Sequence, residues 1–417
     1  MNKYVIEGGH KLFGEIAVSG AKNHALKILA ACVMLDEPTT ITNYPEIEDG
    51  ARMLELLEDI GATVERGYHS VTINPKGINK TAPTPELMHK LRSSIMLAGP
   101  LLARFGEVTL AHPGGCVIGK RPIDMFLSGF EALGAKIHEH SDHYTLKAKK
   151  LLGAKIVMPW VMVTATESLM MTACLAEAVT TIVNAAMEPE ILALADFLNS
   201  CGAKISGAGT PIITIEGVEK LSGGKCEIIP DRIEAGTFVI MGLITGSQIK
   251  VTHCEPKHLE VFLKTLEKAG ANFEVGDDWI ETKPSKLSAV ELRTHEYPGF
   301  PTDLQAPFTV LMTQADGQSL IHEVIYEGRL FYTDKLSLMG ANIIMCDPHR
   351  VIVSGPAKLA GHKLESPDLR AGMALILAGL CAEGKTTIDN IYQIERGYEN
   401  IIERLKAIGA NIEKISE

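Results

Sequence analysis

The sequence LLEDIGATVE at residues 56–65 is the first of six similar phrases in this chain of 417 residues. The other five are FEALGAKIHE, FLNSCGAKIS, LEKAGANFEV, LSLMGANIIM and LKAIGANIEK, and the six glycines are Gly61, Gly134, Gly202, Gly270, Gly340 and Gly409. Successive glycines are 73, 68, 68, 70 and 69 residues apart, a regularity that random Gly-Ala pairs would not keep. The chain is therefore predicted to consist of six repeats of about 70 residues.

Each phrase predicts a helix, a glycine and a strand. The residues before the glycine are spaced as in the last turn of an amphipathic helix. Glycine is favoured just past a helix end, where the backbone takes a left-handed conformation. The residues that follow alternate apolar and polar, which is typical of a half-buried strand.

A second kind of segment lies between these phrases and is apolar on nearly all sides. Its six copies are AKNHALKILAACVM, LRSSIMLAGPLLA, TATESLMMTACLA, IEAGTFVIMGLI, LQAPFTVLMTQA and LRAGMALILAGLCA. A helix that is apolar all round is buried on most faces. We therefore expect an α/β fold with helices inside and sheets outside, divided near residues 222–231 into two domains of three repeats. A cleft between two similar lobes is the usual place for a ligand.

The composition restricts the class of protein. Hydrophobic residues make up 46% and charged residues 22%, which excludes a disordered chain. The net charge of −11 with only 5% aromatic residues argues against a nucleic-acid partner. The first residues lack the apolar core of a signal peptide, and the longest apolar runs are about half a bilayer span. A soluble, cytoplasmic protein without a membrane partner is expected.

The eight cysteines are scattered and form no C-x-x-C pair, so a zinc site is not expected. Most lie in apolar surroundings, as Cys174 does, and are interpreted as buried free thiols in a reducing compartment.

The first candidate site is the sequence Gly20-Ala21-Lys22-Asn23, which opens a predicted buried helix. A glycine before a helix can leave backbone amides for an anion, and Lys22 adds a charge suited to phosphate. The alternative is a polar helix cap with a solvated lysine.

The second candidate is the loop AHPGGCVIGKRPID at residues 111–124. Its three glycines and two prolines exclude a helix or a central strand and favour a mobile lid. Lys120 and Arg121 lie close in sequence to Cys116 and could lower its pKa. The alternative is a surface turn with an incidental thiol.

The third candidate is a set of charged residues at the starts of buried helices. A charge entering an apolar helix is costly unless it meets a ligand or a partner. For the aspartates the alternative is helix capping, whereas the arginines together suggest an anion-binding cleft. The set comprises Asp303, Asp368, Arg92, Arg370 and Arg396.

The run of residues 138–143, HEHSDH, is a weaker candidate. Strand alternation would put His138 and His140 on one face, which makes a metal site conceivable. A solvated hairpin tip is the favoured interpretation.

Six further strings match one protein family. They are SGAKN (19–23), LRSSI (91–95), PGGCVIGKRPID (113–124), PDRIEAGTF (230–238), FPTDLQA (300–306) and ERGYE (395–399). On these strings the chain resembles the UDP-N-acetylglucosamine 1-carboxyvinyltransferases, a family of enolpyruvyl transferases, from residue 1 to about 415. The resemblance implies two inside-out α/β barrels of three repeats each. One would comprise residues 22–229, the other residues 1–21 and 230–417, with the active site in the cleft between them.

The resemblance also implies a reaction, the first committed step of peptidoglycan precursor synthesis. The enolpyruvyl group of phosphoenolpyruvate moves to the 3-hydroxyl of UDP-N-acetylglucosamine through a tetrahedral ketal, and phosphate leaves. Cys116 would be the proton donor, able also to form a thioether adduct or to react with fosfomycin. Asp303 would take the hydroxyl proton. No cofactor or metal is implied, and the oligomeric state is left open.

The resemblance assigns the remaining site residues to the two substrates. Lys22, Arg121 and Arg396 would hold phosphoenolpyruvate, with Arg92, Arg329 and Arg370 nearby. Asn23 would assist at the sugar. The nucleotide sugar would contact Arg121, Pro122, Ile123, Asp124, Met125 and Ile325.

Some positions depart from the family pattern. Met162 replaces a serine expected to donate to the diphosphate, and Thr164 replaces a glycine; Met96 and Gly328 also differ. Two alternatives therefore stay open: an enolpyruvyl transferase with another acceptor, and a non-catalytic paralogue that binds a UDP-sugar. Retention of Cys116, Lys22 and Asp303 argues against the second.

Overall fold

The structure is a computed structural model that describes residues 2–112 and 123–416. Two of the predicted active-site residues, Cys116 and Arg121, lie outside these ranges, as do Lys120 and Pro122.

The described residues contain 23 strands. In chain order they are β1 (Lys3–Glu7), β2 (Phe13–Ala17), β3 (Thr39–Thr42), β4 (Thr63–Gly67), β5 (Ser70–Asn74), β6 (Glu107–Ala111), β7 (Lys136–Glu139), β8 (His143–Lys147), β9 (Lys155–Val157), β10 (Val179–Val183), β11 (Lys204–Ser206), β12 (Ile212–Glu216), β13 (Lys225–Glu227), β14 (Gln248–Thr252), β15 (Asn272–Val275), β16 (Trp279–Lys283), β17 (Leu292–Arg293), β18 (Gly317–His322), β19 (Asn342–Asp347), β20 (Arg350–Gly355), β21 (Lys363–Glu365), β22 (Lys385–Asp389) and β23 (Asn411–Ile415).

Fourteen α-helices accompany these strands in the described ranges. They are α1 (Lys22–Ala31), α2 (Glu48–Asp59), α3 (Pro85–Lys90), α4 (Ala98–Phe105), α5 (Asp124–Ala132), α6 (Val163–Ala173), α7 (Pro189–Ser200), α8 (Arg232–Ile244), α9 (Glu260–Lys268), α10 (Gln305–Thr313), α11 (Thr333–Leu338), α12 (Leu369–Cys381), α13 (Tyr392–Glu395) and α14 (Ile401–Ala407). Short 3-10 segments precede α4 (Arg92–Leu97) and α10 (Thr302–Leu304).

The described chain forms two compact units. The N-terminal unit comprises residues 20–112 and 123–229, and the C-terminal unit comprises residues 2–19 and 230–416. Each unit has its own apolar core.

Three sheets belong to each unit. The N-terminal unit contains the strand orders β13-β3-β5-β4, β9-β10-β12-β11 and β6-β8-β7. The C-terminal unit contains β2-β14-β16-β15, β17-β18-β20-β19 and β21-β22-β1-β23. In all five four-stranded sheets the first-named strand pairs parallel with its neighbour and the remaining pairs are antiparallel.

The glycines of the six phrases have the predicted conformation. Each follows a helix and precedes a strand, as Gly61 does between α2 and β4, and all six have positive φ, between 78° and 105°. The strand that follows Gly61 is more exposed than the alternation predicted: in β4 only Val64 is half-buried, and the half-buried alternation appears in the next strand, β5, where Val71 and Ile73 are buried. The helix–glycine–strand prediction is confirmed.

The second set of segments forms the helical interior. Every residue of α8 and α10 is buried, and so are all but Cys381 in α12 and all but Val163 and Thr164 in α6. By contrast, only Phe262, Leu263 and Leu266 of α9 are buried. The predicted α/β fold with buried helices is therefore confirmed. None of the helices in the described ranges combines the length and apolar character needed to cross a bilayer.

Candidate functional site

Asp303 lies on the 3-10 turn that leads into the buried helix α10. Its carboxylate accepts hydrogen bonds from two arginines rather than capping the helix. Arg329 Nη1 donates to Oδ1 at 2.8 Å, and Arg370 donates to Oδ2 from Nε at 3.1 Å and from Nη2 at 3.0 Å. The side chain of Asp303 is 24% exposed, whereas those of Arg329 and Arg370 are 6% and 5% exposed. Three residues that the sequence singled out thus form one cluster.

The carboxylate of Glu323, the residue that follows β18, supports this cluster. It accepts hydrogen bonds from Thr302 Oγ1 at 2.8 Å and from the amide of Ile325 at 2.8 Å. Thr302 Oγ1 in turn accepts from Arg329 Nη1 at 2.9 Å. Burial raises the pKa of Glu323, and the positive charge of Arg329 opposes that rise. The predicted contact residue Ile325 is half-buried and tied to the cluster through its backbone.

Tyr398 is the second supporting residue. Arg370 Nη1 donates to its hydroxyl at 3.3 Å, and that hydroxyl lies 3.3 Å from Thr237 Oγ1 on α8. Burial lowers the pKa of Arg370, but Asp303, Tyr398 and Asp231 together outweigh burial, so the net shift is upward. Arg370 is therefore held as a cation between one carboxylate and one phenol.

The alternative of helix capping applies to Asp368 and not to Asp303. Asp368 is the N-cap of α12, and its Oδ1 accepts from the amides of Arg370 at 2.8 Å and Ala371 at 3.0 Å. This cap sets the start of the helix from which Arg370 reaches Asp303.

Arg396 follows the short helix α13 and is half-buried. Its Nη1 donates to Gln393 Oε1 at 3.1 Å. The structure gives it this local contact within the C-terminal unit.

Lys22 is the first residue of α1 in the N-terminal unit. Its Nζ lies 3.3 Å from Oδ2 of Asp49, whose side chain is 2% exposed, while that of Lys22 is 14% exposed. Asn23 beside it is half-buried. The carboxylate of Asp49 therefore orients the ammonium group of Lys22, the predicted phosphate-binding residue.

Gly20 has a packing role that the sequence did not indicate. A Cβ atom there would lie 1.9 Å from the carbonyl oxygen of Asn43, so only glycine fits. The amide of Ala21 donates to the carbonyl of Ile229 at 2.7 Å and is not free for an anion. The expected amide site before α1 is corrected to that extent, because this amide holds the neighbouring chain segment.

Arg92 opens the 3-10 segment before α4 and is half-buried. Asp124 and Ile123 lie at the start of α5, the first exposed and the second half-buried. The side chain of Met125 is 6% exposed and belongs to the apolar core of the N-terminal unit.

Met162 occupies the N-cap position of α6. Its side chain makes no capping hydrogen bond, and its carbonyl accepts from the amide and hydroxyl of Thr166 at 2.9 and 3.0 Å. Met162 and Thr164 are both half-buried at this helix start.

Residues 138–143 form the tip of the β7–β8 hairpin. The amide of His140 donates to the carbonyl of His143 at 2.8 Å, and the two rings stack 4.2 Å apart. The hairpin interpretation is confirmed. The described ranges contain no group of three His, Cys, Asp or Glu side chains arranged to hold a metal.

The described cysteines are free thiols. Five are buried and Cys381 is half-buried, but Cys346 is exposed on the outward face of β19. Burial raises the pKa of Cys174, Cys226 and Cys381 to about 12. The expectation of buried thiols is thus correct for most of them and wrong for Cys346.

Comparison with known proteins agrees with this fold. The family model described as EPSP synthase (3-phosphoshikimate 1-carboxyvinyltransferase) matches residues 6–405. The enolpyruvyl transferase NikO from Streptomyces tendae superposes with a TM-score of 0.91 at 24% identity, covering 100% of this chain and 99% of that one. An EPSP synthase from Acinetobacter baumannii gives a TM-score of 0.75 at 21% identity with full coverage of both chains. The chain belongs to the EPSP synthase family of enolpyruvyl transferases.

Two curated relatives that align with the whole chain carry the same name. The UDP-N-acetylglucosamine 1-carboxyvinyltransferase of Desulforapulum autotrophicum is 44% identical over 416 residues, which cover 100% of both chains. That of Psychromonas ingrahamii is 44% identical over 418 residues, again covering 100% of both chains.

Proposed function

We propose that this protein transfers the enolpyruvyl group of phosphoenolpyruvate to the 3-hydroxyl of UDP-N-acetylglucosamine and releases phosphate. Full-length identity of 44% to enzymes of that name supports the acceptor. The observation that supports the chemistry most directly is the carboxylate of Asp303, clamped by Arg329 and Arg370 at the start of a buried helix. The reaction is the first committed step of peptidoglycan precursor synthesis.

Asp303 is proposed to accept the proton of the sugar hydroxyl. Both of its oxygens are already oriented by guanidinium groups, so the carboxylate meets the substrate in a fixed direction. As the O–H bond breaks, the sugar oxygen bonds to C2 of phosphoenolpyruvate. Cys116 gives a proton to C3, which completes the tetrahedral ketal. Loss of a proton from C3 and cleavage of the C–O bond to phosphate then yield the enolpyruvyl ether.

The cations are proposed to neutralise the phosphate and carboxylate of phosphoenolpyruvate. Lys22, Arg121 and Arg396 are proposed to contact that substrate, and the family resemblance implies that Arg92, Arg329 and Arg370 assist them. The ion pair of Lys22 with Asp49 supports this role, because it fixes the direction of a flexible side chain.

The nucleotide sugar is proposed to contact two stretches of chain. Residues 121–125 provide one, and Ile325 provides the other. Asn23 assists at the sugar. The free thiols of the described residues agree with a reducing compartment, and we place the protein in the cytoplasm.

The test is release of phosphate from phosphoenolpyruvate, measured with and without UDP-N-acetylglucosamine. Release that depends on the nucleotide sugar is the expected result. Shikimate 3-phosphate is the comparison acceptor, because Met162 and Thr164 depart from the family pattern. Turnover with that acceptor alone would contradict the proposal, and nucleotide-sugar binding without phosphate release would indicate a non-catalytic paralogue.

A further inference from the structure

A buried polar pair in the N-terminal unit has no part in the mechanism above. Nζ of Lys27 on α1 lies 3.2 Å from Oε2 of Glu167 on α6. The two side chains are 7% and 0% exposed, inside helices that are otherwise nearly apolar.

Several ionisable groups surround this pair. His24 lies on α1, and Glu188 and Glu190 lie at the start of α7; all three are buried. Burial raises the pKa of Glu167 to about 8, opposed by Lys27 and assisted by the two other glutamates. Burial lowers the pKa of His24 to about 4. His24 Nδ1 accepts from the amide of Ile229 at 3.3 Å, which ties α1 to the end of the unit.

Burying a lysine and a glutamate together in an apolar core is energetically costly. Removing an ammonium group and a carboxyl group from water costs several kcal/mol, and an apolar pair of similar volume often gives equal or greater stability. A buried polar contact is directional, however, and can fix one register between two helices where apolar side chains would accept several. The Lys27–Glu167 contact bridges α1 and α6, both of which also pack against α7.

α1 starts with Lys22 and Asn23, which the proposed function uses, and α6 starts beside Met162 and Thr164, where the chain departs from the family pattern. Lys27 is five residues beyond Lys22 on α1, and Glu167 is three residues beyond Thr164 on α6. At a rise of about 1.5 Å per residue, both separations are under about 8 Å. A shift of α1 against α6 would move the two helix starts, at residues 22–23 and 162–164, relative to each other.

We propose that Lys27 and Glu167 are positioning residues, whose contact fixes α1 against α6 and thereby sets the placement of Lys22, Asn23 and residues 162–164 for the nucleotide sugar and phosphoenolpyruvate. The inference rests on the proposed function for its substrates. Neither side chain need touch them.

Four variants test the contact. Lys27→Met and Glu167→Leu each remove one partner, and the double variant removes both charges at similar volume. Glu167→Gln is the conservative variant, because it keeps the volume of the side chain and leaves a polar oxygen facing Lys27. Lys80→Met is the matched control, since Lys80 forms an ion pair with Asp59 at 2.7 Å in the same unit but on neither helix.

The single variants Lys27→Met and Glu167→Leu should raise KM for both substrates by about tenfold while kcat changes by less than about threefold. Glu167→Gln and Lys80→Met should stay within about twofold of the parent. The double variant should regain the melting temperature but not the KM, because packing is restored and register is not. Parental KM in folded Glu167→Leu, or recovery of KM in the double variant, would overturn the proposal.

Hydrogen exchange gives a readout that needs no substrate. Peptides covering the first turns of α1 and α6 should exchange about tenfold faster in Glu167→Leu, while those of α10 in the other unit stay unchanged. If exchange is faster in Glu167→Leu but the parent shows no turnover with UDP-N-acetylglucosamine, the result contradicts the proposed function and not the positioning role. Unchanged exchange at both helix starts would fault the positioning role.

Discussion

Arg370 donates two hydrogen bonds to one oxygen of Asp303, from Nε at 3.1 Å and from Nη2 at 3.0 Å. Arg329 holds the other oxygen, so the orientation of the carboxylate is set from both sides. The arginines are buried and the carboxylate is the partly exposed member of the cluster. The arrangement fixes a partly exposed carboxylate between two buried guanidinium groups, and it makes the three residues depend on one another.

Replacing Asp303 by Asn should remove the proton acceptor while keeping the shape of the side chain. We expect kcat to fall by at least about 100-fold, the usual contribution of a general base. The melting temperature should also fall, because Arg329 and Arg370 lose their anionic partner in a buried setting. Phosphate release and thermal unfolding measure the two effects.

Asp347→Asn is the control for that variant. Asp347 pairs with Arg350 at 2.6 Å in the same unit, where both side chains are substantially exposed. Such a pair contributes little, so both measurements should match the parent. Parental kcat in Asp303→Asn would remove Asp303 from the mechanism.

Arg370→Lys should not conserve function although it conserves charge. A lysine cannot donate from two positions to one carboxylate oxygen and also reach Tyr398. We expect kcat to fall by about tenfold or more and the melting temperature to drop. Tyr398→Phe removes only the hydroxyl contact and should cause a smaller loss of both. Equal values in the lysine variant and the parent would show that charge alone suffices.

Much of the fold could be predicted because its signals are local. The six glycines mark positive φ at helix ends, and the period of apolar residues separates helix from strand. These local signals do not predict which strands pair with each other. β2 pairs parallel with β14, which is more than 200 residues away, and β13 pairs with β3. Nothing in a five-residue strand specifies such a partner, so the joining of the first residues to the later unit came only from the family resemblance.

The candidate site, too, could be predicted only in part. Asp303, Arg329 and Arg370 were recognisable, the first and last because charges at the start of an apolar helix require a partner. The residues that support the site were not recognisable from the sequence. Glu323 follows the last residue of an ordinary strand, β18. Asp49, which pairs with Lys22, lies in the first turn of α2, where acidic residues are common because of the helix dipole. Their roles depend on contacts distant in sequence.

Cys116 should react with an epoxide phosphonate shaped like phosphoenolpyruvate, and UDP-N-acetylglucosamine should speed the reaction. Cys116→Ser should abolish labelling and most turnover, because a hydroxyl is a far poorer acid than a thiol. Cys116→Asp should keep turnover yet resist labelling. Peptide mapping by mass spectrometry identifies the modified residue.

Cys346 is the control for that experiment, because it is the exposed thiol among the described cysteines. A general alkylating reagent should modify Cys346 in the parent, whereas the phosphonate should not. Cys346→Ser should leave turnover unchanged. Phosphonate on Cys346 or on a buried cysteine would contradict the role assigned to Cys116.

Met162→Ser should strengthen the start of α6. Met162 is an N-cap without a capping hydrogen bond, and serine at that position typically adds about 1 kcal/mol of stability. If the serine hydroxyl also meets the diphosphate, UDP-N-acetylglucosamine should bind more tightly, by up to about tenfold. Calorimetric titration measures affinity and thermal unfolding measures the cap. Met162→Ala is the control. Alanine can neither cap the helix nor donate to the diphosphate, so this variant shows the effect of losing the methionine side chain alone.

Glu167 should make the stability of the protein depend on pH in a defined direction. Its pKa is about 8 in the folded state, against 4.5 for an ordinary glutamate. Between these values the folded protein holds a proton that the unfolded chain has lost, so the free energy of unfolding falls as the pH rises through this window. The slope from one such group is at most about 1.4 kcal/mol per pH unit. Glu167→Gln lacks the titrating group but keeps Lys27, His24, Glu188 and Glu190 around it. Unfolding in urea from about pH 5 to pH 9 measures both proteins. The free energy of unfolding of the parent minus that of Glu167→Gln should therefore decrease as the pH rises. A difference that does not change with pH would mean that Glu167 is ionised throughout.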